Sequence, residues 1–381
     1  MQQGTFSRED IRVWQQESPP FRAERMSRLG LMERRVLISG AFGDADARFG
    51  FYERIAEALE ASGWQVHRFN AFESLRRPVR GFAKAGERLF TLPGRWLGIP
   101  KERIRAALPW TMTGQRERGL VAAVESFRPA VLIVIASLRF QPETLARCRA
   151  LGVRELVGWY VEGPVEPGVP ERESMLYDRY YCIHREIHPE ARGRIGWLPA
   201  HALDRASFHR LRTPRVPVER IVFVGAASRR RIRYLGALLS LPLELWGEGW
   251  SKLPAFAPFH RGKFIWGEAV NRLYNESAIV LNIATWDAAS SGLTQRVVDV
   301  PASGAFLLTD DAAEIRQLYV VADEVATFTT PEALRAKCEY YLTHQAERET
   351  IADRGHQRAL TLADYAATAG VLMGLDSSDH A

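Results

Sequence analysis

Three side chains in the second half of the chain have the types and spacing to hold a phosphate and a sugar. Arg296 and Asp299 stand three residues apart in the stretch 292–310, GLTQRVVDVPASGAFLLTD. On a helix they share one face. A guanidinium pairs with phosphate through charge-assisted hydrogen bonds, and a carboxylate accepts from a sugar diol. Arg231 is the third, in the run Arg229-Arg230-Arg231. That run opens a helical segment, where cations oppose the helix dipole at a cost of roughly a few tenths of a kcal/mol. An anion bound there would reverse the penalty. A solvated basic turn would explain the run equally well.

The elements that must position these groups follow from the pattern around them. The stretch 292–310 reads as helix, turn, strand and loop. Its helix is expected after Ser290-Ser291-Gly292, is broken at Gly304, and is followed by the apolar run 305–308. Free N–H groups at such a helix start suit a phosphate or a sugar hydroxyl. One ordinary helix and strand of an α/β sheet is the plainer reading of the same residues. Arg231 follows the apolar run 221–224 and Gly225, so it too sits on a strand–turn–helix unit.

The same alternation runs through the chain. Strand 35–39, the helical face Tyr52, Ile55, Ala56 and Leu59, and strand 65–69 make a β-α-β opening. The loop 40–43 carries only part of a dinucleotide-type glycine pattern. Residues 130–136 are wholly apolar, as a central parallel strand requires. Strand 156–161 ends at Glu162, placed where ligands of open parallel sheets bind; it is a candidate site acid or a solvated strand-end acid. Strands 180–184 and 195–199 follow. The expected division is a polar leader over 1–33, an N-terminal Rossmann-like domain over 34–203 and a linker over 204–219 carrying Pro214 and Pro217. A C-terminal Rossmann-like domain over 220–381 follows, with a last helix able to pack back on the first domain.

Composition bounds the class of protein. The chain has 381 residues, 46% hydrophobic and 25% charged, which fits two folded α/β domains. No apolar run is long enough to span a membrane, and the N-terminus lacks the apolar segment of a signal peptide. Three scattered cysteines argue for reduced thiols and a cytoplasmic protein. The net charge of +6 suits an anionic ligand, yet no nucleic-acid-binding motif accompanies it. The basic region 76–105 has two readings: a peripheral contact with a membrane or lipid-linked acceptor, or a helical insert packed on its own domain. Asp44-Ala45-Asp46 reads as capping acids rather than a metal site. His184 and His188 lack the Glu of a zinc helix motif. No metal and no cofactor are therefore expected.

The second half resembles the C-terminal domain of CgeB-like, spore-maturation-type glycosyltransferases, relatives of the family 4 glycosyltransferases of GT-B fold. The resemblance rests on Phe223-Val224-Gly225 with Arg231, on Trp246-Gly247-Glu248-Gly249-Trp250, on YNESAIVLNI over 274–283 and on the stretch 292–310. It continues through Tyr340-Tyr341-Leu342-Thr343-His344 to IADRG over 351–355. It implies two Rossmann-like, doubly wound domains facing across a cleft. It also implies a nucleoside-diphosphate sugar held by the second domain and an acceptor (glycan, lipid-linked or protein) on the first. The donor-binding residues it implies are Gly225, Arg231, Asn282, Ser291, Gly292, Gln295, Arg296 and Asp299. Asp299 takes the ribose position, where Glu is usual, and Ser291 takes that of a Glu contacting the donor sugar. Arg231, Arg296 and backbone N–H groups would neutralise the leaving diphosphate without a metal. Glu162, Asp44 and His201 are candidates for a base, needed only if the reaction inverts. Two other functions stay open: a GT-B protein that binds its ligand without turnover, and a sugar-nucleotide epimerase of the same fold.

Overall fold

Runs that are apolar at every position belong where a sheet is covered on both faces. Val131–Ile135 is such a run and Ala278–Leu281 inside Ser277–Asn282 is another, and every residue of both strands is buried. Around them the chain builds two parallel six-stranded sheets. The structure is a computed structural model that describes residues 34–42, 50–72, 101–108, 110–135, 140–161, 168–184, 193–211, 218–285 and 292–375. The expectations for the leader 1–33, Asp44, Asp46, Glu162, His188, Ser291 and most of the basic region 76–105 lie outside these residues.

The N-terminal domain runs β1 (Arg35–Gly40), α1 (Gly50–Ala61), β2 (Gln65–Asn70), α2 (Lys101–Ala107), α3 (Met112–Phe127), β3 (Val131–Ile135), α4 (Pro142–Ala150), β4 (Glu155–Tyr160), α5 (Val169–Ser174), β5 (Arg179–Cys182) and β6 (Ile195–Trp197). Its strand order is β2-β1-β3-β4-β5-β6. Alternate residues of β1 point to opposite faces. Val36 and Ile38 join a core with Ile55 and Leu59 of α1, while Leu37 joins Leu120 and Val124 of α3 on the other side.

The C-terminal domain runs β7 (Val218–Val224), α6 (Arg229–Gly236), β8 (Leu243–Trp246), β9 (His260–Gly262), α7 (Gly267–Asn275), β10 (Ser277–Asn282), α8 (Arg296–Ala302), β11 (Leu307–Asp310), α9 (Ile315–Leu318), β12 (Ala326–Phe328), α10 (Pro331–Thr343), α11 (Gln345–Ala359) and α12 (Tyr365–Met373). The order β12-β11-β10-β7-β8-β9 reverses direction between β7 and β10. Crevices for ligands open at the carboxyl ends of strands beside such a reversal.

Three points of the expected division take definite form. The last helix, α12, stands apart from α11, which ends at Ala359. Asp364 caps α12 by accepting from Ala367 N at 2.9 Å. Tyr365, Ala369, Leu372 and Met373 of α12 lie in the core of the N-terminal domain, so by packing this helix belongs to the first domain. Each large apolar side chain buried there contributes roughly 1.5–3 kcal/mol. Second, β7 already begins at Val218, inside the segment read as linker. Third, the described part of that segment is bound to its surroundings rather than free. Asn271 accepts from His209 N, and Asn275, one turn on, accepts from Leu211 N and donates to His209 O. Asp204 meets Arg54 of α1 at 2.7 Å, and Leu203 N donates to Ala363 O.

Candidate active site

The crevice at the β7/β10 reversal is built by glycines before any charge enters it. Trp246 O accepts from Gly225 N, Glu248 O from Ala227 N, and Gly225 O from the Trp250 indole N–H at 2.7 Å. The loops after β7 and β8 thus run locked together. Gly247, at φ +137°, has backbone atoms of Gly225 where a Cβ would stand, so only glycine fits. Gly225 itself has Phe223 Cζ at 3.0 Å and Arg231 Nη1 at 3.2 Å from the place of a Cβ. Its role here is room for a guanidinium. Its N–H is already used.

That guanidinium belongs to α6. Ser228 caps the helix by accepting from Arg231 N. The Arg231 side chain turns inward, is 6% exposed, and donates from Nε to Ile283 O and from Nη1 to Ala226 O, both at 2.9 Å. It stacks on the Phe223 ring at 5.1 Å from the centroid. Arg296, at the start of α8, reaches the same ring at 5.7 Å and donates from Nε to Asn282 Oδ1 at 3.1 Å. Asn282 ends β10; Thr294 donates to its Oδ1, and its amide donates to Thr309 Oγ1. Asn282 therefore sets the position of Arg296.

Two guanidiniums share one phenyl ring, and neither has a carboxylate within salt-bridge distance among the described residues. Burial, then Arg296, pushes the Arg231 pKa down to about 9. Burial also lowers that of Arg296. This is stored positive charge that an anion would relieve. Arg230 next door is different: it grips Asp310 at the end of β11 through two bonds of 3.0 and 2.8 Å. One of three consecutive arginines is thus neutralised by a carboxylate, and another is held by two backbone carbonyls and a phenyl ring.

The remaining expected site residues divide. Asp299 is 7% exposed, and burial pushes its carboxyl well above the usual range. Its Oδ1 accepts from Gln295 Nε2 at 2.7 Å. Gln295 also exchanges two hydrogen bonds with the Ala202 backbone, at 3.1 and 2.7 Å, so it clamps the crossing chain to α8. Gly292, at φ +98°, donates its N–H to Glu314 Oε2 at 2.7 Å. A carboxylate thus already holds this donor, and α8 proper begins only at Arg296. Pro301 cannot donate within α8, and Val297 O, left over, accepts from Tyr319 OH at 2.8 Å. His201 neighbours the clamp; burial pushes its pKa down to about 4, so its imidazole is uncharged at neutral pH and a feeble base. Among the described residues no group of three or more His, Cys, Asp and Glu could hold a metal ion.

Sequence reasoning passed over four contributors. Phe223 carries both guanidiniums, Asp310 neutralises Arg230, Glu314 holds Gly292, and His184 packs against Gly292 from the other domain. The place of a Cβ on Gly292 lies 3.1 Å from His184 Cε1 and 3.2 Å from Ile183 Cδ1. The domains meet there, with the end of β5 facing the loop that leads to Arg296.

Two doubly wound domains whose sheet edges meet in this way define the GT-B fold. Residues 222–374 match the family described as glycosyl transferase-like. No curated protein matches the chain significantly. Among solved structures, sucrose-phosphate synthase from Thermosynechococcus elongatus superposes with a TM-score of 0.61 at 14% identity, covering 89% of this chain and 97% of that one. A glycosyltransferase from Rickettsia africae gives 0.58 at 10% identity, covering 89% and 97%. Anabaena HepE, solved in complex with UDP and glucose, gives 0.56 at 10% identity, covering 89% and 98%.

Proposed function

We propose that this protein is a glycosyltransferase that transfers a sugar from a nucleoside-diphosphate sugar. The carrying observation is the pair Arg231, buried, and Arg296, half-buried, on one phenyl ring with no carboxylate at salt-bridge distance among the described residues, at the strand reversal of the C-terminal sheet. A diphosphate there would meet both guanidiniums. The charge that grows on the leaving diphosphate during transfer would be stabilised by fixed donors that need no reorganisation. The reaction would then proceed without a metal. Within this reading Asp299 takes the ribose, and the acceptor approaches from the N-terminal domain. The CgeB-like and family 4-like affinities, and a cytoplasmic setting, belong to the same proposal. HepE was solved with UDP, so a UDP-sugar is the first donor to try.

The test has two arms. Calorimetric titration with UDP, GDP and ADP should find a nucleoside diphosphate that binds. Arg231→Met should weaken it by about 10- to 100-fold, the value of a charge-assisted hydrogen bond. Unchanged affinity in both Arg231→Met and Arg296→Met would remove the site assignment. Release of nucleoside diphosphate from a donor panel then separates an enzyme from a protein that only binds. The second reading draws on Asp299, whose Oδ1 is already taken by Gln295.

A further inference from the structure

β10 ends on a polar side chain in the middle of a buried sheet. Ala278–Leu281 is apolar throughout, and Asn282 after it is 2% exposed. A buried amide is tolerated when its hydrogen bonds are made. Asn282 makes them within the protein. Its Nδ2 donates at 2.9 Å to Oγ1 of Thr309, its partner in the parallel register with β11. Its Oδ1 accepts from Thr294 Oγ1 at 2.8 Å and from Arg296 Nε at 3.1 Å. Arg296 can only donate, so the amide oxygen must face it and the nitrogen must face Thr309. An amide oxygen has two lone pairs, and both are taken.

The near end of the Arg296 side chain is thus tied to β10, and its guanidinium lies over the Phe223 ring. Among the described residues its two terminal nitrogens make no hydrogen bond. Asn282 supplies a position and no charge. A carboxylate would fit the same place, because both threonine hydroxyls can donate to it and Arg296 Nε makes a third bond. One residue beyond Thr309 the chain does place a carboxylate, and there Asp310 grips Arg230. Asp299 and Asp310 act on Arg296 only from beyond salt-bridge distance. The amide at 282 therefore separates holding this cation from neutralising it.

We propose that Asn282 is the positioning residue of the arginine pair: it aims Arg296 at the diphosphate and, being uncharged, leaves that cation's charge to the ligand. The inference rests on the nucleotide reading above. Thr309 and Thr294 fix the amide from either side, and Asn282 acts on the ligand through Arg296.

Titration of the full chain with UDP, GDP and ADP, in wild type and variants, tests it. Asn282→Asp sets a carboxylate on Arg296 and should weaken the tightest nucleoside diphosphate by about 10- to 100-fold while the fold is kept. Asn282→Ala frees the arginine and should weaken it by about 3- to 10-fold. In an Arg296→Met background Asn282→Ala should bring no further loss, because the residue acts through the guanidinium. Equal losses from Asn282→Ala in both backgrounds would overturn the inference. So would unfolding of Asn282→Asp, since the hydroxyls would then not serve a carboxylate. If Arg296→Met weakens binding and Asn282→Asp binds as wild type does, the inference alone falls. If wild type binds no nucleoside diphosphate, the inference and the functional reading fall together.

Discussion

The first strand of each sheet leads to a glycine, and what fills the space over that glycine differs. Gly40 ends β1 of the N-terminal domain, and a Cβ there would lie 2.4 Å from the Tyr52 ring. Gly225 follows β7 of the C-terminal domain, and the nearest polar group is the Arg231 guanidinium. In the first domain the space is closed by apolar rings: Tyr52 packs edge-on to Phe42 at 6.0 Å and against Phe51 at 4.0 Å. In the second it holds charge. The same strand–glycine–helix unit is thus used once to seal a core and once to present a cation. The choice lies in which side chain the following helix turns inward.

Arg230 and Arg231 carry the sharpest form of this contrast, because adjacent residues serve opposite ends. Arg230→Met leaves Asp310 buried without its partner, and breaking such a pair costs about 3–5 kcal/mol. Arg231→Met removes a buried charge that has no carboxylate within salt-bridge distance among the described residues. Its stability should hold or rise while nucleoside-diphosphate affinity falls. Urea denaturation and calorimetric titration of both variants give the test. A larger stability loss in Arg231→Met than in Arg230→Met would break the division of roles.

The two glycines give the next largest effects. Gly40→Ala drives a methyl into the Tyr52 ring and should cost about 1–3 kcal/mol, as overpacking does. Gly225→Ala meets Phe223 and Arg231 at 3.0 and 3.2 Å, so a shift of a few tenths of an ångström accommodates it. Its stability cost should be smaller and its loss of nucleotide affinity larger, because the group that yields is the guanidinium. Thermal melts alongside titrations distinguish them. Equal affinity in Gly225→Ala and wild type would mean that Arg231 does not meet the ligand.

Much of this was legible in the sequence, and the limits have a physical cause. A wholly apolar run marked β3, and alternating helices and strands marked two parallel sheets. Arg231 and Arg296 stood out because their types suit a phosphate. The partner of each arginine did not: Asp310 lies 80 residues from Arg230, on β11. The role of Gly225 as room for Arg231 depends on how α6 turns its first residues. The N–H groups expected to be open before α8 include Gly292, which Glu314 already holds. The tie of Gln295 to Ala202 is likewise a contact between distant segments, which local patterns do not carry.

Tyr319→Phe probes the element that bears the second arginine. The hydroxyl serves Val297 O, the carbonyl that Pro301 leaves without a helical donor. Removing it should cost about 1 kcal/mol or slightly more, the value of one buried hydrogen bond. A cost well below that in urea denaturation would show that α8 meets this carbonyl in another way.

Asp299 gives the smallest expected change, because Gln295 and Arg296 already offset part of the cost of its burial. Its folded pKa is raised above the unfolded value, so the native state takes up the proton first as pH falls. The charged form therefore costs stability at neutral pH, and that cost fades as the solution is acidified through the folded pKa towards the ordinary carboxylate value. Asp299→Asn keeps an acceptor for Gln295 and removes the charge. It should melt higher than wild type at pH 7, with the gap closing on acidification. If the gap is constant with pH, Asp299 does not carry the charge penalty, and the crevice is more nearly neutral than two unpaired arginines and a reluctant carboxylate make it.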